Sequence, residues 1–386
     1  MKDDFLLAPD VVFLNHGSFG ACPREVFAVL QGWQLEMERN PVEFLGRRSS
    51  ALLAVARERL AAYLGASAEH LVFIANATTG VNAVAASLAL RPGDEVLATD
   101  HEYGACDATW QRHCELAGAS YRHVPIPLPF DRGNWVERLL AEVTPRTRLV
   151  FVSHITSTTA LTFPVAHLCR ELRGHGILTL IDGAHAPGQI ALNLDEIGAD
   201  FYTGNCHKWL CAPKGSAFLH ARPEQHAALH ATTVSWGYVA GDSAANQGHT
   251  GFDAYTGSTL LERRFQWQGT RDLAAFLSVP AAIDFQHRHD WPAVRELCHR
   301  MALHTQRSLL ERYSLAPISQ DDDWAQMVAI PVPHQDADAL RHSLFDDSCI
   351  EVPVTQHAGQ TFVRVSVQAY NTEDDLQRLL DAPALA

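Results

Sequence analysis

Three lysines, Lys2, Lys208 and Lys214, stand against 27 arginines in this chain of 386 residues. Arginine carries the positive charge almost everywhere. A lysine kept in such a chain is a candidate for chemistry that arginine cannot copy, because only the amine deprotonates readily enough to attack a carbonyl. Compositional drift with three chance survivors is the competing reading. Lys208 lies in GNCHKW, just after the strand-like run DFYTG, and Asp182 closes the apolar run ILTLID 26 residues earlier. A carboxylate at the end of a central strand is buried and needs a cationic partner, either an arginine or a protonated ring nitrogen. Thr78, Thr79 and Gly80 stand where a strand turns into a helix. Backbone N–H groups, two hydroxyls and the helix dipole there suit a phosphate, although threonine is also an ordinary helix cap. Tyr103 places an aromatic ring after another strand, and Lys214, in APKG, is a turn residue or a further phosphate contact. Together these groups match a cofactor with a phosphate, a flat ring, a basic ring nitrogen and an aldehyde. That cofactor is pyridoxal 5′-phosphate, PLP.

The elements that must hold these groups alternate along the chain. Helical periodicity covers 22–39 and 47–64, with Pro23 suited to open the first helix. Short apolar runs predict strands at LVFIA (71–75), EVLAT from residue 95, RLVFVSH (148–154), ILTLID (177–182), DFYTG (200–204) and SAFLH (216–220). Helical stretches at 78–90, 103–118, 134–143 and 164–175 lie between several of them. Such alternation predicts an α/β fold, a mostly parallel sheet sandwiched by helices. Ligands then bind beyond the carboxyl ends of the strands. Residues 233–262, rich in Gly, Ser, Thr and Asn, predict a long functional loop. A helical stretch from 272 to 313 breaks near Pro280 and Pro292. Strands at 325–332, 349–354 and 361–367 with helices at 335–345 and 372–380 predict a smaller C-terminal α+β domain. The expected division is an N-terminal arm (1–22), a large cofactor-binding domain (23–275) and a small C-terminal domain (276–386).

Composition excludes other classes. The net charge of −14 makes the chain a poor binder of nucleic acid or anionic membrane. Its apolar runs are far shorter than the ~20 residues of a membrane span. The first ten residues lack a signal-peptide pattern, and the eight cysteines form no CxxC pair, so a cytoplasmic protein with reduced thiols is expected. The 21 histidines include no HExxH, and HRH at 287–289 has no second ligand cluster, so solvated helix histidines and no metal are expected. No GxGxxG follows a strand, which argues against a dinucleotide oxidoreductase.

Eight motifs run in order across the chain: FLNHGSFGACP (13–23), NATTGVN (76–82), DHEYGAC (100–106), SHITSTTALTFPV (153–165), IDGAHAPGQ (181–189), GNCHKWLCAPKG (204–215), QGTRD (268–272) and VRVSVQAYNT (363–372). They resemble the class V aminotransferase family of PLP enzymes with fold type I. GNCHKW together with IDGAHAPGQ is the specific part. Within that family the chain is most similar to the isopenicillin N epimerases and the related cysteine-conjugate sulfoxide (C–S) lyases. The resemblance implies that Lys208 carries PLP as an imine and that Asp182 pairs with the pyridine nitrogen. It implies phosphate contacts from Thr78 and Thr79, with His207 packed beside them. His154 and His185 match positions near the ring hydroxyl. The ring-stacking position falls at His101 or Tyr103, and Tyr103 is also a candidate acid. Arg364 matches the arginine that clamps a substrate carboxylate, and Asn15 and His16 line the substrate entrance. Thr270 matches a residue that reaches the phosphate of the neighbouring subunit's cofactor, which implies a homodimer with shared sites. The implied reaction on a small amino-acid-type substrate is epimerisation, with C–S β-elimination and transamination as alternatives. Cysteine desulfurases are also related and need a nucleophilic cysteine on a mobile loop. Cys349 opens the strand-like run CIEVPV, so no persulfide role is expected, and Cys106, Cys206 and Cys211 are expected to pack.

Overall fold

A computed structural model describes residues 1–239 and 256–386. Its centre is a seven-stranded sheet of β2 (Leu71–Ile74), β3 (Glu95–Thr99), β4 (Ser120–Val124), β5 (Thr147–Ser153), β6 (Leu178–Asp182), β7 (Phe201–Asn205) and β8 (Ala217–Ala221). The spatial order is β2-β8-β7-β6-β5-β3-β4. The strands from β7 to β4 are mutually parallel, whereas β8 runs antiparallel to both β7 and β2. Strand side chains alternate between two cores. Leu97, Val150, Val152, Ile181 and Tyr202 face one, while Val96, Ala98, Leu149, Phe151 and Leu180 face the other. A sheet buried on both faces needs apolar residues at every position, which is why these runs show no polar alternation.

Two strands escaped the sequence reading. SYRHV forms the edge strand β4, and its first four residues are only partly buried or exposed. Val12–Phe13 forms β1, which pairs in parallel with β10 (Ile350–Glu351). The expected strand 349–354 is therefore two, β10 and β11 (Val354–His357). β11 joins β12 (Gln360–Ser366) and β9 (Met327–Val332) in an antiparallel three-stranded sheet. The helical stretch after residue 272 is three helices, Ala274–Leu277, Val279–Arg288 and Trp291–Tyr313. Pro280 and Pro292 each sit in the first turn of a new helix, where no N–H is missed. Most of the loop expected over 233–262 lies outside the described residues, and its flanks are the helices Trp236–Val239 and Leu260–Gln266. Helix Val279–Arg288 packs on helices Arg24–Arg39 and Ser49–Leu64, bridging the division expected at 275. Among the described residues, no helix is long and apolar enough to cross a membrane.

Candidate active site

A cleft opens at the carboxyl ends of the parallel strands. Lys208 follows β7, Asp182 ends β6, Ser153 ends β5, and Tyr103 follows β3. Because these strands are consecutive neighbours, Lys208 and Tyr103 flank the carboxylate from its two sides. Thr78, Tyr103, Asp182, His185, His207 and Lys208 all border this cleft. Two glycines make the arrangement possible. A Cβ on Gly183 would lie 2.2 Å from the Tyr202 ring. Gly20 has φ +71°, and a side chain there would strike the His207 carbonyl, so the N-terminal segment can lie directly on the Lys208 turn.

Lys208 Nζ meets the His185 ring at the cleft. The Trp209 indole can only donate, and it reaches His185 Nδ1 at 3.3 Å. The His185 proton therefore sits on Nε2, 3.1 Å from Lys208 Nζ, where it can donate to the amine once Lys208 has lost its own proton. Its surroundings make that proton easier to lose than in an ordinary lysine. Burial, then the Arg364 charge, lower the Lys208 pKa to about 8, although the Asp182 carboxylate works against them. Burial likewise holds His185 neutral, well below its usual range. His207 donates Nδ1–H to the Ser216 carbonyl at 3.0 Å, and burial lowers it to about 4.

Asp182 is 4% exposed. Its Oδ1 accepts the Ala184 N–H at 2.9 Å, while Oδ2 meets only the Cys106 thiol at 3.5 Å. Burial pushes its pKa up. No arginine or lysine pairs with it among the described residues, so the expected alternative of an ordinary ion pair does not hold. A buried carboxylate without a cation fits a protonated pyridine nitrogen. Helix Ala77–Ser87 begins at the cleft. Asn76 caps it, taking the Thr79 N–H at 2.9 Å and the Thr79 hydroxyl at 3.1 Å. Asn205 takes the Ala77 N–H at 2.8 Å. Thr79 is thus spent on the cap, and Thr78 remains at the cleft with no partner for its hydroxyl among the described residues.

Several expected residues lie behind the cleft wall. His101 is buried, donates Nε2–H to the Ile126 carbonyl at 2.8 Å and accepts from Thr159 at 2.7 Å. Of the two candidates for the ring, only Tyr103 borders the cleft. His154 turns to the Tyr202 hydroxyl at 2.9 Å, while its neighbours Ser153 and Ile155 face the cleft. His16 is fully buried rather than at an entrance. Its Nε2–H donates to the Lys208 carbonyl and its Nδ1 accepts from Tyr370, both at 3.0 Å. Arg364 is 4% exposed and donates to the Ser157 carbonyl (2.5 Å), the Ser18 hydroxyl (3.1 Å) and Asn15 Oδ1 (3.5 Å). Ser18 and Ser157 border the cleft, and Arg364 Nε is a buried donor without a partner. Thr270 is exposed and does not border the cleft. Sequence reasoning gave no role to Ser18, Ser157, Asn76, Asn205 and Glu102. Glu102 is buried, and its Oε2 accepts the Ser153 N–H and O–H, both at 2.7 Å. Its place beside Tyr103 in DHEYGAC was the available signal.

Fold and site together define a PLP-dependent enzyme of fold type I. A family model, aminotransferase class-V, matches residues 14–379, and the chain belongs to that family. Isopenicillin N epimerase of Streptomyces clavuligerus is 39% identical over 98% of this chain and 95% of that protein. The Amycolatopsis lactamdurans isopenicillin N epimerase is also 39% identical, over 99% and 96%. A putative L-cysteine desulfhydrase of Oryza sativa subsp. japonica is 28% identical over 96% and 82%. Among solved structures, the cystine C–S lyase C-DES in complex with cysteine persulfide matches with TM-score 0.80 and 22% identity, covering 97% of this chain and 98% of that one. An apo cysteine desulfurase of Thermococcus onnurineus NA1 matches with TM-score 0.81 and 20% identity, over 98% and 95%.

Proposed function

We propose that this enzyme epimerises the Cα centre of an amino-acid-derived substrate of the isopenicillin N kind. The two relatives at 39% identity over nearly full length support the reading. One observation carries it. Lys208 and Tyr103, two groups able to hold a proton, border one cleft on either side of the Asp182 strand. Inversion at carbon needs two such groups, one to remove the proton and one to return it to the other face. The Tyr103 phenol has no hydrogen-bond partner among the described residues, so it is free to act.

PLP, when bound, supplies the aldehyde that takes up the substrate amine and the ring that draws electrons from Cα. Asp182 would hold the cationic ring nitrogen, and Thr78 with the helix N-terminus would hold the phosphate. The other steps belong to the chain. Arg364, held behind the cleft wall by Ser157, Ser18 and Asn15, would supply the positive charge that draws a substrate carboxylate to this side of the cleft. The Lys208 amine, its pKa lowered to about 8 by burial and the Arg364 charge, accepts the Cα proton. Tyr103 delivers a proton from its own side. The reading includes a homodimer with shared sites and a cytoplasmic location, the latter consistent with eight free thiols.

A C–S β-lyase is the second reading, favoured by the desulfhydrase relatives. There Tyr103 would protonate the departing sulfur. No cysteine borders the cleft among the described residues, and Cys349 lies outside it, so persulfide chemistry has no nucleophile. Reaction in D2O with penicillin-type tripeptides and cysteine conjugates separates the readings. Epimerisation puts deuterium on an inverted Cα and releases no thiol, whereas a thiol with pyruvate and ammonia and no inversion replaces it by the lyase. Tyr103→Phe keeps the ring and removes the proton. Turnover should fall about 10²-fold while Cα–H exchange persists. Full activity would leave Tyr103 as a packing group.

A further inference from the structure

At the opposite end of the sheet from the cleft, three potential ligands converge. His70 precedes β2, His220 lies in β8 directly across from Leu71, and Asp195 opens helix Leu194–Ile197. Their nearest nitrogen and oxygen atoms all lie within 4.8 Å of one another, and His220 Nε2 is 4.0 Å from Asp195 Oδ1. The three border one surface cavity of about 300 Å³. His220 is only 3% exposed, and both of its ring nitrogens lack any hydrogen-bond partner. Among the described residues, no other side chain has two such orphaned atoms. Buried polar atoms are almost always paired, so a bare imidazole aimed at a histidine and a carboxylate calls for a ligand. The histidines were expected to be solvated on helices, and this one sits instead in the buried strand β8.

We propose that His70, Asp195 and His220 form a site for a divalent transition ion of the zinc type. Two imidazoles and one carboxylate are a donor set that zinc accepts, with a fourth position left to water. Magnesium and calcium prefer oxygen donors throughout. Bonds of about 2.0–2.2 Å place tetrahedral ligand atoms about 3.3 Å apart, so the site must close by about an ångström. The adjustable members are the exposed Asp195 and the half-buried His70, neither of which has a side-chain hydrogen bond to break among the described residues. Two arginines border the same cavity but are engaged elsewhere, Arg173 with the Gly198 carbonyl and Arg222 with Asp200 and Glu224. A bound ion would pin the start of edge strand β2 to β8 and to the helix carrying Asp195. It would stabilise the sheet without touching the cleft.

The test uses cofactor-loaded protein stripped with chelator and titrated with Zn2+ by calorimetry and with Co2+ by visible absorption. One saturable equivalent is expected. Saturation at about a hundredfold excess over Kd should raise Tm by about 3 °C. Asp195→Asn and His70→Gln change partly exposed side chains and should fold. Each should weaken binding by at least about tenfold, as loss of a ligand must if loss of its supporting partner already does so. His304→Gln, at an exposed helix position, should bind as before. Absence of a saturable equivalent, or retention of it in either ligand variant, overturns the proposal.

Discussion

Arg364 shows what a single residue can and cannot disclose. Its two terminal nitrogens are already spent on Ser157, Ser18 and Asn15, so the planar guanidinium is locked before any substrate arrives. Burial lowers its pKa only to about 10, which leaves it charged at neutral pH. Arg364→Lys keeps the charge but cannot bridge those partners and also meet a carboxylate. The expected loss is about 1–3 kcal/mol, the scale of a charged hydrogen bond, appearing chiefly in KM. Steady-state kinetics with wild-type KM and kcat would remove Arg364 from the substrate site. Lys208 and Asp182 were legible because a scarce amine and a strand-end carboxylate are unusual in themselves. His154, His101 and His16 were not. Position after a strand fixes a neighbourhood, but successive side chains point to opposite sides, so Ser153 and Ile155 face the cleft while His154 turns away. Only the hydrogen bonds of the folded chain assign each ring its direction.

The same limit holds for whole elements. The strand runs around the sheet were legible from their apolar character, since burial on both faces demands it. The reversed direction of β8 was not, because an apolar run reads alike whichever way it lies. Strand β4 was hidden by its polar edge residues. The turn from β3 into helix Gly104–Ala117, which carries Tyr103, depends on Glu102. Its carboxyl reaches Thr99 at 2.5 Å and Ser153 at 2.7 Å, tying the end of β3 to β5. Burial, with the Asp182 charge adding to it, pushes its pKa from 4.5 to about 8. The folded state therefore keeps this proton over a range where the unfolded chain has lost it. The stabilisation is complete below about pH 4.5 and fades as pH rises toward about 8. Glu102→Gln preserves the shape and does not titrate. Its unfolding free energy should change less between pH 5.5 and pH 8 than wild type, by on the order of a few kcal/mol. Urea unfolding at both pH values checks this, and equal slopes in the two proteins would show that Glu102 ionises at ordinary cost.

At the scale of the molecule, the cleft has an unfinished rim. Phe19 and Tyr103 border it and yet are 73% and 48% exposed. Apolar side chains left open at the mouth of a site are natural places for a second subunit to cover. Thr270 stands on the surface in QGTRD without reaching the cleft of its own chain. The proposed dimer assigns it to the partner's cleft, at the phosphate end. Sharing of this kind can be tested by complementation. Lys208→Ala destroys the amine of its own site, and Thr270→Asp places a negative charge where the partner would hold a phosphate. Each variant alone should be inactive. In a mixed dimer, one site collects both defects and the other collects neither. After unfolding and refolding an equimolar mixture, half the dimers are mixed and each carries one intact site, so about a quarter of wild-type activity should return. Light scattering on the same sample should give twice the chain mass. If the mixture stays inactive although dimers have re-formed, each site is built from one chain; if Thr270→Asp alone keeps full activity, Thr270 belongs to the surface alone.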